Sequence, residues 1–197
     1  MDQALGLRRA AQAKREVQTR LGVPLIHAHV LLSAEGRVEA PPCTLLWHWR
    51  DSARGRVGWD MQARLHVVGG PHQFSAPELS QWRALFREWW LCGRTLEVML
   101  YADVGWLWLN SGRELLERLR PTLHWLCRNQ PELPIILAGL GESSIERIQR
   151  WASARFPLQF LRPEALYGGA ERKRNGYYRL LRLCHAPTHI SVVKEAL

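Results

Sequence analysis

No stretch of this sequence approaches the ~18 consecutive apolar residues that span a bilayer. The opening segment, MDQALGLRRAAQAKREVQTRLG, has no apolar centre of the kind a secretory leader carries. A cytoplasmic location with no membrane partner is the resulting expectation. Cysteine is sparse. Cys43, Cys92, Cys127 and Cys184 are scattered, with no CxxC pair and no tight zinc spacing. In a reducing compartment such cysteines serve mostly as small buried hydrophobes, so no disulfide is expected. Nucleotide and nucleophile signatures are missing as well. Gly139-x-Gly141-x-x-Ser144 lacks the third glycine of a dinucleotide fingerprint and the lysine of a P-loop, and no GxSxG elbow occurs. No cofactor is expected.

Lysine is scarce too: only Lys14, Lys173 and Lys194 stand among the 27 basic residues, and the rest are arginine. Set against 18 acidic residues they leave a net charge of +9 and a pI near 10.1. That balance favours a polyanionic partner, nucleic acid first and an acidic protein second. Arginine also suits bidentate phosphate contact better than lysine does. With 47% hydrophobic and 23% charged residues, the chain has the composition of a folded protein.

Periodicity supplies the elements. Leu7, Ala10, Val17 and Leu21 share one face of a basic helix over 2–21. Strands are expected at PLIHAHVLLS (24–33), TLLWHWR (44–50) and VGWDMQARLHVV (57–68), the first followed by a turn at Ala34–Arg37. Alternation puts Ile26, Ala28, Val30, Leu45, Trp47, Trp49, Val57, Trp59, Met61, Leu65 and Val67 on a covered face. The tryptophans of TLLWHWR are therefore core rather than a stacking platform. His27, His29, His48, Arg50, Asp60, Arg64 and His66 fall on the opposite face.

A helix capped by Ser75 and Glu78 is expected to run to about Gly93, burying Leu79, Trp82, Phe86 and Trp89. TLEVMLY (95–101) and VGWLWLN (104–110) read as strands. A second capping box, Ser111 with Glu114, opens a helix to about Asn129, with Pro121 expected to kink or split it. LPIILAGL (133–140), a helix capped by Ser143 and Glu146, and LQFLR (158–162) make a βαβ unit, and YYRLLRLC reads as a last strand. The fold class is α/β (α+β mixed): an antiparallel three-stranded N-terminal sheet covered by a helix, continuing into a βαβ-type C-terminal half. Residues 1–22 form an N-terminal basic helix and 23–197 a single α/β domain. Glu97 and Asp103 lie on or after a central strand, and the element order is similar to that of ribonuclease H-like nucleases. Those enzymes need a carboxylate on their first strand, which PLIHAHVLLS does not offer.

The densest basic segment is ERKRNG with the residues after it. Arg172, Lys173, Arg174, Arg179 and Arg182, with Tyr177 to stack on a base and Arg50 and Arg64 from the sheet, are the candidate nucleic-acid contacts. His27, His29, His48 and His66 are the candidate metal ligands, because same-face histidines on paired strands converge. The leading expectation is a non-enzymatic nucleic-acid-associated protein that docks on phosphates. A subunit binding protein partners through Trp-rich surfaces, Trp106 and Trp108 above all, is the second, and a metal-dependent phosphodiesterase using the sheet histidines the third.

Overall fold

The computed structural model describes residues 23–32, 40–50, 55–93, 95–110, 115–166 and 175–185. The segments read as an N-terminal helix, as a turn at Ala34–Arg37 and as a Ser111/Glu114 box, and also Arg172, Lys173 and Arg174, lie outside these residues. Eight strands form one sheet: β1 (Leu25–Leu31), β2 (Leu45–His48), β3 (Arg56–Trp59), β4 (Leu65–Val68), β5 (Glu88–Gly93), β6 (Val104–Trp108), β7 (Ile135–Ala138) and β8 (Phe160–Leu161). Their order is β3-β4-β2-β5-β1-β6-β7-β8. Among the described residues four α-helices accompany them: α1 (Ala76–Leu85), α2 (Leu115–Asn129), α3 (Glu142–Ser153) and α4 (Gly176–His185).

The α/β class is as expected, but the three-stranded antiparallel sheet is not formed. β1 lies between β5 and β6 and is parallel to both, and β2 is parallel to β4 and β5. Among the described residues only β3 and β4 pair antiparallel. The reason lies in the segment Glu88–Gly93. Read as the end of a helix, it is instead a strand that inserts between β1 and β2.

Connection handedness then places the helices. The steps β4 to β5, β5 to β6, β6 to β7 and β7 to β8 all run the same way across the sheet, so right-handed crossovers drop on one face. All four α-helices contribute to a single core there, with Ile26, Ala28, Val30, Leu45, Trp47, Val67, Trp89, Leu91, Leu107 and Ile135 from the strands. The steps from β1 to β2 and from β2 to β3 run the other way, which makes the carboxyl ends around β1 the place where strand order reverses.

The alternation holds where it was read from β1 and β2. Trp47 is fully buried on the helix side, its indole N–H donating to the Gly69 carbonyl at 2.8 Å, and Trp49 stacks on Tyr101. It fails for the third expected strand, which is a hairpin. Asp60 Oδ1 accepts from the backbone N–H of Gln62 and of Arg64, and Ala63 takes a φ of 54°, so the chain turns between β3 and β4. Val57, Trp59 and Met61 are consequently exposed rather than covered.

The Ser75/Glu78 box forms: the Ser75 N–H and hydroxyl both donate to Glu78 Oε2, at 2.7 and 2.8 Å. Further on, TLEVMLY is a 3-10 helix at Leu96–Tyr101, and α2 runs through Pro121 undivided. α3 is capped at Gly141 rather than Ser143, and YYRLLRLC is α4 rather than a strand. Among the described residues no helix is long and apolar enough to cross a membrane.

Candidate functional site at the carboxyl end of the second strand

The face of the sheet opposite the described helices carries the histidines. It is not a solvated polar face at its centre, where His27 and His29 are buried with Trp90, Cys92, Val104 and Ile136. Parallel register sets the neighbours. His48 pairs with Cys92, and Cys92 with His29, while one step toward the amino ends Leu46 pairs with Trp90, and Trp90 with His27.

His27 is structural. Trp106 Nε1 can only donate, so the 3.1 Å contact leaves His27 Nδ1 as the acceptor and places the ring proton on Nε2, 3.7 Å from Glu88 Oε2. Its ring also stacks on Trp90 at 4.5 Å. His29 is the anomaly. Only 1% exposed, it leaves both ring nitrogens without a hydrogen-bond partner, and burial pushes its pKa down from 6.5 to about 4. Next to it Cys92 is held as a thiol, burial lifting its pKa to about 12. Cys43, Cys92 and Cys127 are all free.

At the β4 side the remaining two histidines join. His48 ends β2 and pairs with Val68, which puts His66 two residues back on the same face. Their rings lie nearly parallel, with His48 Nε2 3.2 Å from His66 Nδ1. On the far side His66 Nε2 lies 2.8 Å from Asp60 Oδ2, which also accepts from Arg64 Nε at 2.7 Å. The hydrogen bond from His66, with those from Arg64 and Gln62, holds the Asp60 carboxyl far below the usual carboxylate range. Burial, then the charges of His66 and Arg50, depress the His48 pKa from 6.5. The turn that ends β3 therefore also anchors a chain of three titratable groups reaching the carboxyl end of β2, beside the reversal point of the sheet.

Those expected contacts that lie among the described residues do not assemble into one surface. Arg50 is exposed just beyond His48, while Arg64 is tied to Asp60 and to the Ala40 carbonyl. Arg179 and Arg182 belong to α4, on the helix-bearing face. Arg179 donates to the Leu100 carbonyl at 2.8 Å, and Arg182 is exposed. Tyr177 is core: 2% exposed, edge-on to Trp89 and covered by Arg83, it presents no ring face for a base. Nor do the four histidines converge on a point, and among the described residues no group of three or more His, Cys, Asp or Glu is placed to hold a metal ion. A shallow open groove of about 460 Å³ at the β8 edge, lined by Glu146, Gln149, Arg150, Ser153 and Arg162, is bridged by the Arg162–Glu146 ion pair.

Sequence alternation put Asp60, His66 and His48 on one face, but the hairpin that brings Asp60 to His66 was not visible in a run read as one strand. Comparison with protein-family models, with curated proteins and with solved structures found no match for the chain.

Proposed function

We propose that the protein associates with nucleic acid by docking on its phosphates at the carboxyl end of β2. The observation that carries this reading is geometric: Arg50 lies exposed two residues beyond His48, and the nearby carboxylate, Asp60, is already taken up by Arg64 and His66. Arg50 is exposed and makes no ion pair among the described residues. An anion complements such a place, and the net charge of +9 brings polyanions to it. The test is fluorescence anisotropy with short single- and double-stranded DNA and RNA across salt. Binding in the micromolar range or tighter, with log affinity falling steeply against log salt, is expected. Absence of binding to any of them at low salt would overturn the reading.

A second reading, a protein partner, has its own observation. Val57, Trp59 and Met61 on or beside the edge strand β3 are 51%, 62% and 104% exposed, and Leu85, beside the Phe86 that Trp59 touches, is 62% exposed. An edge strand with apolar side chains invites pairing. Light scattering of the purified chain, with Trp59→Lys as comparison, should show self-association in the parent protein alone, and a monodisperse parent would set this reading aside.

A further inference from the structure

The polarity of the Asp60–His66–His48 chain follows from donor and acceptor rules. An ionised carboxylate only accepts, so His66 carries its proton on Nε2, where it meets Asp60 Oδ2 at 2.8 Å. In neutral His66 the other nitrogen, Nδ1, is then a lone pair. The 3.2 Å contact therefore requires His48 to donate from Nε2. Neutral His48, a half-buried side chain, is left with its lone pair on Nδ1, which has no partner among the described residues. A base of this kind is directional. When Nδ1 takes a proton, the Nε2 proton can shift to His66, and the positive charge moves beside Asp60. The carboxylate thus orients the rings and stabilises the charge that proton abstraction creates.

The surroundings limit the chemistry such a base can serve. Among the described residues, the thiol one strand away, Cys92, is buried and stays protonated, and offers no nucleophile. The nucleophile must come with the substrate. The exposed guanidinium of Arg50 favours a phosphate-bearing substrate and the extra negative charge of a five-coordinate phosphorus. RNA meets both demands, because each ribose carries a hydroxyl beside the phosphodiester, and DNA does not.

Resting on the nucleic-acid reading above, we propose that the relay is a metal-independent RNA-cleaving site in which His48 Nδ1 is the general base. It removes the proton of a ribose 2′-hydroxyl, and that oxygen attacks the adjacent phosphorus. The 2′-O–P bond forms as the P–O5′ bond breaks, leaving a 2′,3′-cyclic phosphate on one fragment. The departing 5′-oxygen takes a proton from water, and the hydroxide so formed recovers the proton held by His48. His48 is the catalytic residue, His66 a positioning residue, and Arg50 the phosphate contact.

The experiment incubates the full chain, with EDTA present, with a short 5′-labelled RNA and separately with its 2′-O-methyl counterpart. Anisotropy on the uncleavable oligonucleotide measures binding alone. The expected result is that both bind equally, that only the RNA is cut, and that mass spectrometry finds the cyclic phosphate. His48→Gln should lower the rate about 100-fold or more while keeping affinity for the 2′-O-methyl RNA. His66→Gln should lower it less and move the pH dependence of kcat/KM, which in the parent protein rises through a pKa below 6.5. Binding without cleavage overturns this proposal and leaves the docking function standing, whereas no binding at all removes both. Cleavage that His48→Gln does not change, or a parent rate flat in pH, also overturns it. Should His48→Gln not fold, the pH profile and the 2′-O-methyl control decide.

Discussion

The carboxylate of Asp103 accepts the backbone N–H of Gly176 at 2.8 Å, joining the start of β6 to the start of α4 across 73 positions. The same oxygen accepts from Asn175, and its companion from the Ile26 N–H at 2.9 Å inside β1. One side chain thereby caps a helix and locks it to the central strand. Gly176 makes the approach possible, since a Cβ there would lie 2.5 Å from the Tyr101 carbonyl.

Removing this clamp should be costly. Asp103→Ala leaves three N–H groups unanswered at a buried place, each worth about 1–3 kcal/mol. Urea unfolding should report a loss of at least about 3 kcal/mol, and a loss below about 1 kcal/mol would mean that α4 finds another cap. Burial holds the Asp103 pKa above the ordinary value despite these bonds, so the native state binds its proton more readily than the unfolded chain does. That term favours the folded state as pH falls, the reverse of the histidine terms.

His29 sets a different window. Its pKa falls from 6.5 in the unfolded chain to about 4 in the fold, so between those values the unfolded state binds the extra proton. Stability contributed by the neutral ring is present above pH 6.5 and is lost as pH falls toward 4, about 3 kcal/mol in all. His29→Leu removes two unpartnered nitrogens along with the titration. Thermal melts of the two proteins should differ little or favour Leu at pH 7, and favour Leu increasingly toward pH 4. Parallel curves would show that His29 has a hydrogen-bond partner in solution.

Gly139 turns the chain from β7 toward α3 with a φ of +91°. A Cβ at this position would stand 2.5 Å from the Leu109 carbonyl and 2.8 Å from Trp108 Nε1, so strain and collision act together. Gly139→Ala should lower stability by about 2 kcal/mol or more, read from the urea midpoint. Gly141→Ala, with nothing near its Cβ, is the control and should change little.

What was legible in the sequence was local. Period-two alternation in β1 and β2 sorted Ile26, Ala28, Trp47 and Trp49 from the histidines, because a strand fixes which side each residue faces whatever it pairs with. Partner choice is not local. Leu79, Trp82, Phe86 and Trp89 have helical spacing, yet EWWLCG is drawn into the centre of the sheet, where Trp89 and Leu91 are buried on the helix side. Likewise the cap of α4 comes from Asp103, far upstream, so nothing adjacent to YYRLLRLC announced a helix. The relay was half visible: its three residues shared a face, but only the Asp60 turn supplies the contact that polarises them.

Which basic residues meet a polyanion is open to a salt titration, because each phosphate contact contributes about 0.9 to the slope of log affinity against log salt on duplex DNA. Arg50→Ala removes an exposed guanidinium beside His48 and should weaken binding to all sequences alike, lowering the slope by about 1. Arg182→Ala, on the helix-bearing face, should leave both affinity and slope unchanged if docking is confined to the carboxyl end of β2. Replacing Arg172, Lys173 and Arg174 together by Ala tests the basic segment that precedes α4. A fall in slope from that triple change but not from Arg50→Ala would move the docking surface to the α4 side, and would separate phosphate binding from the His48 relay altogether.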